Sequence, residues 1–422
     1  MSDSEDDEPP SAAARTAAAR STLRGLVSSR GTDILGTVVD LSGLRFLGDD
    51  VKLLLAALPL RSGTERLSVA NNLLSRRWDK ATAEMVPSDD GGLLLAQAIA
   101  KSESLTEIDI RGNDFTVAVG RALSCVYRDV TGTAELERPN PQYATVCGIP
   151  IRRLLTDKMR AVDLRGANLG PADGAILGGA LVRCASVQRL VLAGNGELGS
   201  HVDGMASLCS QLGKQRSLTL LDLTAAGVND DTVGSLADCL RVNLHLQHIC
   251  LGFNAIGSDG MVLLASGLKY NRKIARLVLR GNPLGPEGAV TLAGLISANV
   301  SLSSARRRNI FRTDHRLPPG PDLQATLSDI DLARCELGRD GGRSTSAQAL
   351  AEVLPKAFGL TMLNLDENDI SVTALLPALR ERDDLSMSLA ANNTPVRVCD
   401  EVLGLPNNFR AFRGRVLREV SC

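Results

Sequence analysis

The chain has 422 residues, a net charge of −1 at neutral pH and only 3% aromatic residues. A charge balance so near zero excludes bulk electrostatic attraction to nucleic acid, and no apolar run is long enough to span a membrane. Nine cysteines without a C-x-x-C pair suit a reduced, intracellular protein in which cysteine serves as a small core residue.

In chain order, residues 1–20 open with MSDSEDDEPP and continue as an Ala/Arg stretch, which predicts a disordered tail. The acidic opening argues against a signal peptide or a mitochondrial presequence. Ser2 and Ser4 lie among acids, where an acid-directed kinase could act. Ser21 to Leu35 suits a short helix covering the first repeat.

The repeat is clearest in residues 218–299. Leu221, Ile249 and Leu277 are 28 residues apart, and so are Leu223, Leu251 and Leu279. Leu236, Leu264 and Leu292, Ala237, Ala265 and Ala293, and Asn243, Asn271 and Asn299 keep the same interval. A period in this range means stacked supersecondary units that cannot bury their apolar faces singly. Within one unit, Leu246, Ile249, Leu251, Asn254 and Ile256 spell L-x-x-L-x-L-x-x-N-x-I, with the alternation of a short strand. Met261, Leu264, Ala265 and Leu268 then fall three and four apart, one face of a helix.

This register resembles the leucine-rich-repeat family, in the ribonuclease-inhibitor-like form with 28-residue units and a full helix. The resemblance implies an α/β right-handed solenoid, a horseshoe with a concave parallel sheet and convex helices. Val39, Leu67, Ile108, Val162, Leu190, Leu221, Ile249, Leu277, Ile330, Leu363 and Met387 fill one strand position, giving about eleven repeats over residues 21–399. Three intervals run long, predicting insertions near 75–92, 126–156 and 301–325; the second is long enough to hold a degenerate repeat instead. Residues 400–422 are expected to cap the last repeat, with Phe409, Phe412 and Val416 inward and Arg410, Arg413, Arg415 and Arg418 outward.

Several motifs suggest chemistry and are better explained by the repeat. Gly194, Gly196 and Gly199 form G-x-G-x-x-G, but Gly194 occupies the turn slot also assigned to Gly112, Gly166, Gly252 and Gly281. Asn364, Asp366 and Asn368 begin like a calcium loop that lacks its later ligands. His245, His248 and Cys250 are metal-ligand types committed to a strand. Arg306, Arg307, Arg308, Arg312 and Arg316 read as a solvated insert, with a phosphate or nuclear-import patch as the alternative. No catalytic motif, metal site or cofactor site is expected.

What remains is the outward face of the strands. Alternation points Asp109, Arg111, Asp163, Arg165, Arg189, Asp222, His248, Arg276, Arg280 and Asp331 away from the helices, and Asp109, Arg111, Asp163 and Arg165 are expected to form a charge checkerboard. The reading is a non-catalytic scaffold or adaptor that binds a protein on its concave face, in the cytoplasm and within a larger assembly, with no nucleic acid or membrane partner. The resemblance leaves two alternatives open: a GTPase-activating protein similar to the Ran GTPase activator, whose partner is a small GTPase, and a structural component of a cytoskeletal or axonemal complex. A nuclear or cytoskeleton-associated location would follow from those.

Overall fold

The structure is a computed structural model that describes residues 12–27, 33–58, 63–128, 143–157, 159–182, 184–310, 327–339, 344–382, 385–390 and 392. The chain divides into two compact units, Met1–Lys158 with Asn168–Cys184, and Met159–Ala167 with Ala185–Cys422.

In the first unit the elements are α1 (Ala12–Val27), β1 (Val38–Asp40), α2 (Val51–Ala57), β2 (Arg66–Ser68), β3 (Arg76–Asp79), β4 (Glu84–Pro87), α3 (Asp90–Ala100), β5 (Glu107–Asp109), α4 (Val117–Arg128), β6 (Thr145–Val146), α5 (Ile151–Leu155) and α6 (Pro171–Leu181). Strands β1, β2, β5 and β6 pair in parallel, while β3 and β4 form a separate antiparallel hairpin. The parallel register brings Val39, Leu67, Ile108 and Val146 into one buried row.

The second unit holds β7 (Ala161–Asp163), β8 (Arg189–Val191), α7 (Val202–Leu212), β9 (Leu220–Asp222), α8 (Val233–Val242), β10 (His248–Cys250), α9 (Ser258–Leu268), β11 (Arg276–Val278), α10 (Gly285–Ile310), β12 (Asp329–Asp331), α11 (Thr345–Val353), β13 (Met362–Asn364), α12 (Val372–Glu381) and β14 (Ser386–Ser388). The eight strands form one parallel sheet in chain order. Its register joins Val162, Leu190, Leu221, Ile249, Leu277, Ile330, Leu363 and Met387, all fully buried. These are the residues that the repeat interval had aligned.

The chain folds this way because each repeat contributes two kinds of apolar side chain to one thin core. Leu251 from the strand side and Leu264 and Leu268 from α9 are all buried, each stabilising by roughly 1.5–3 kcal/mol relative to exposure. Helices then approach closely through small residues. A side chain at Gly267 would meet the Ala237 backbone at 2.3 Å, so α9 seats directly on α8.

Two asparagine ladders stitch successive repeats. The Asn254 side-chain amide donates to the Leu223 and Leu251 carbonyls at 2.9 and 2.8 Å, while its Oδ1 accepts the Ala226 and Val228 N–H groups at 3.0 and 3.1 Å. Asn72, Asn113, Asn195, Asn282, Asn368 and Asn392 likewise donate to backbone carbonyls on the preceding repeat. A second ladder follows the helices: Asn271 donates to Leu240 and Asn243 carbonyls at 2.6 and 3.0 Å and accepts the Lys273 and Ile274 N–H groups. Such buried amides satisfy turn backbone groups that no strand or helix partner reaches.

Several expectations are corrected. Residues 12–20 of the tail expected to be disordered belong to α1, and the helix expected to start at Ser21 starts already at Ala12 and ends at Val27, because Ala and Arg are strong helix formers. Its Leu23 is buried, and Arg20 Nε donates to the Ala57 carbonyl at 3.1 Å. The 75–92 stretch contains the β3–β4 hairpin. Within 126–156 the chain forms β6 and α5, and α10 runs on into the 301–325 stretch as far as Ile310. Gly252 is not the turn glycine of its repeat: the left-handed slot there belongs to Phe253 (φ 55), in line with Gly166, Gly194 and Gly281. The acidic opening, the Arg312 and Arg316 part of the basic insert and the 400–422 cap lie outside the described residues.

One buried carboxyl makes the first unit pH-sensitive. Asp173 of α6 is 4% exposed, and its Oδ2 accepts the Gly170 N–H at 2.8 Å. Burial raises its pKa from 3.8 to about 6, against the opposing pull of the Cys147 thiol, the Gly170 N–H and Arg111. The folded chain therefore holds a proton that the unfolded chain has already lost between these two values. Stability from this group is fully present below the unfolded value and is lost as pH rises through about 6. Asp173→Asn keeps the acceptor and cannot ionise. The unfolding free energy of the variant minus that of wild type should rise between acidic and neutral pH, by on the order of 1–3 kcal/mol; a difference that does not change with pH would show that Asp173 titrates normally.

Candidate protein-binding face

The side chains between and beside the buried row point away from the helices because strand residues alternate. Each aspartate among them has a local task. Asp109 Oδ1 accepts the Arg111 N–H at 3.1 Å, Asp163 that of Arg165 at 3.1 Å, Asp222 that of Thr224 at 3.0 Å and Asp331 that of Ala333 at 3.1 Å. Asn364 does the same for Asp366. The acidic column closes the strand ends by side-chain caps two residues long. Sequence reasoning missed this, though the shared spacing to the strand end was its signal.

The arginines divide by neighbour. Arg111 is held by Asp109 through two bonds of 2.8 and 2.5 Å, and that hydrogen-bonded carboxylate raises its pKa further. Arg165 lies 3.8 Å from Asp163, with both side chains more than 60% exposed, a pair worth about 0–1 kcal/mol. Arg276 pairs across the sheet with Asp329 at 3.3 Å. Arg280 approaches Glu367 at 3.9 Å while its buried Nε has no partner among the described residues, and Arg334 shares Glu367 at 2.6 Å. Burial, with Asp329 and Asp366 nearby, raises the Asp331 pKa, against the Ala333 N–H and Arg280.

The checkerboard of Asp109, Arg111, Asp163 and Arg165 does not form across neighbouring strands. Strand β5 pairs with β2 and β6, and β7 pairs with β8, because residues 145–146 supply a strand next to β5. Each aspartate meets the arginine two residues along its own chain instead. Eight of the ten expected residues, Asp163 to Asp331, lie in the second unit, on its sheet face. Arg189 and His248 stand exposed at the start of β8 and β10, with no ion-pair partner among the described residues.

Apolar groups separate these charges. Val191 is buried, Cys250 and Val278 are half-buried, and Phe253, in the turn after β10, is 51% exposed. The seven cysteines among the described residues form no disulfide, and five of them are buried. Among the described residues no three His, Cys, Asp or Glu side chains gather as a metal-binding group, and no helix is long and apolar enough to cross a membrane.

A family comparison agrees with this architecture. The family model described as Leucine Rich repeat matches residues 242–265 and 270–293, the segments that carry β10 with α9 and β11 with the start of α10. No curated protein matches the chain. Among solved structures, "Leiomodin-1 Actin-Binding Site 2 (ABS2)" is similar at 15% identity over 49% of this chain and 88% of that chain, with a TM-score of 0.28. The parallel strands alternating with helices, together with the matched units, define the fold as an α/β leucine-rich-repeat solenoid. Such repeats are typically non-catalytic and generally mediate protein–protein interaction.

Proposed function

We propose that this chain is a non-catalytic interaction platform of the ribonuclease-inhibitor-like repeat subtype, and that the exposed face of the eight-stranded sheet binds a protein partner. The observation that supports this most directly is the pair Arg189 and His248. Both are exposed on strands and have no ion-pair partner among the described residues, whereas the aspartates beside them cap their own backbone. A cation such as Arg189 and a polar ring such as His248, neither engaged in an ion pair within the described residues, are available to a partner, and the arginine can steer its approach. Asp163, Arg165, Asp222, Arg276, Arg280 and Asp331 complete the proposed surface in the second unit, and Asp109 and Arg111 mark the corresponding face of the first. The proposed setting is a cytoplasmic assembly.

A photo-crosslinking residue at position 248, compared with one at the exposed helical position 262, tests the reading in the native cell. Crosslinks to one defined protein from position 248, reduced at least about tenfold by Arg189→Glu, are the expected result. Crosslinks that arise only from position 262 would move the interface to the helices. A small GTPase as the linked protein would support the activator alternative, and cytoskeletal polymers the structural one. Replacing Asp163 and Arg165 by alanine should leave the unfolding free energy within about 1 kcal/mol of wild type, since both side chains are solvated; unfolding would show that the Asp163 cap on Arg165 N–H holds the strand end.

A further inference from the structure

The chain's single tryptophan lies outside the repeat pattern, on the β3–β4 hairpin, and its side chain is 49% exposed. The hairpin register pairs Arg76 with Pro87, Arg77 with Val86, Trp78 with Met85 and Asp79 with Glu84. Directly paired residues share a face and successive residues alternate. Arg76, Trp78, Met85 and Pro87 therefore make one face, and Arg77, Asp79, Glu84 and Val86 the other.

The arm is fixed at its base and free at its end. Arg76 N–H donates to the Leu73 carbonyl at 2.9 Å, and Ser88 N–H to that of Ser75 at 2.7 Å. A side chain at Gly48 would meet the Leu74 carbonyl oxygen at 2.9 Å, so the first turn of the neighbouring repeat packs directly against the root. At the tip, Asp79 Oδ1 accepts the Ala81 N–H at 2.8 Å, and residues 80–85 are all exposed. A two-stranded hairpin is marginally stable by itself, and this one is held in a defined direction by its root.

The two faces differ chemically. The Arg77 face carries two carboxylates beside its cation. The Trp78 face carries a cation and no carboxylate, with a large aromatic beside Met85, which is 46% exposed. Neither the Arg76 guanidinium nor the Trp78 indole N–H has a partner among the described residues. Trp, Met and Arg are the side chains most enriched at the buried centres of protein interfaces. Charge complementarity then selects the occupant, because an apolar surface bordered by an unpaired guanidinium favours carboxylates and repels cations.

We propose that the Trp78 face of the β3–β4 arm is a second docking site, separate from the sheet face, for an acidic protein segment. The segment's apolar side chains lie on Trp78 and Met85, and its carboxylate meets Arg76.

Because Trp78 is the sole tryptophan, its emission reports this site alone. The full chain is titrated with short peptides of Leu, Phe and Glu, and with the same peptides carrying Gln or Lys in place of Glu. The expected result is a saturable blue shift with the Glu peptide, at least about tenfold weaker with Gln and absent with Lys. Arg76→Glu should reverse the preference toward the Lys peptide. Trp78→Ala, followed with a labelled Glu peptide, should weaken binding by about tenfold or more, and Met85→Ser by less, each with unchanged circular dichroism. Binding that ignores peptide charge, binding that survives Arg76→Glu, or no binding would overturn the proposal. So would a shift produced only by an oligonucleotide or by anionic vesicles.

Discussion

Leu251→Arg should unfold the central repeats of the second unit. Leu251 is fully buried. Its N–H donates to the Val278 carbonyl at 2.8 Å, and its own carbonyl accepts the side-chain amides of Asn254 and Asn282, each at 2.8 Å. An arginine there would place an unpaired charge in the thin layer between sheet and helices, where even partial desolvation costs several kcal/mol. The strand could move it out only by breaking the bonds that tie its repeat to the next. Leu251→Ala leaves a cavity instead and should cost about 2–5 kcal/mol. The two variants separate the contributions in a denaturant titration: alanine lowers the midpoint with the slope kept, while arginine removes the cooperative transition of the sheet. An arginine variant with a wild-type midpoint would overturn the strand register.

Asn282→Leu should be nearly as damaging, although leucine is more hydrophobic than asparagine. Asn282 is 1% exposed. Its amide donates to the Leu251 and Leu279 carbonyls at 2.8 and 2.7 Å, and its Oδ1 accepts the Ile256 N–H at 3.1 Å. Leucine supplies none of these. The Leu251 carbonyl keeps Asn254, while the Leu279 carbonyl and the Ile256 N–H each lose this bond in a buried turn. Buried groups left without partners cost about 1–3 kcal/mol each, so a loss of about 3–5 kcal/mol is expected. Hydrogen exchange gives the local readout. The Ile256 amide should exchange faster in the variant, while the Ala226 and Val228 amides, held by Asn254, change only as much as global stability requires. Unchanged protection at Ile256 would mean that the ladder contributes little.

These two sites show what could be read without coordinates. The interval that aligns Leu221, Ile249 and Leu277 needs only two rules: strands alternate in two, helices in three and four. A repeat whose parts cannot fold alone must stack, so strand class, parallel direction and register followed from the spacing. The same spacing placed Arg189 and His248 on the outward side of the sheet.

The tertiary structure decided where identical spacings do different work. Asp163, Arg165, Asp222 and Arg276 share outward positions, yet the aspartates cap their own strand ends while Arg276 pairs with Asp329, 53 residues further along the chain. Whether an outward charge serves a partner or its own backbone depends on which donors lie within about 3 Å, and periodicity carries no such distance. Departures from the period were equally silent. Val146 joins the buried row although its strand has only two residues, and the hairpin that presents Trp78 follows no repeat at all. Local propensity and stacking order determine the elements of this protein; the exposed chemistry comes from side chains brought together across them.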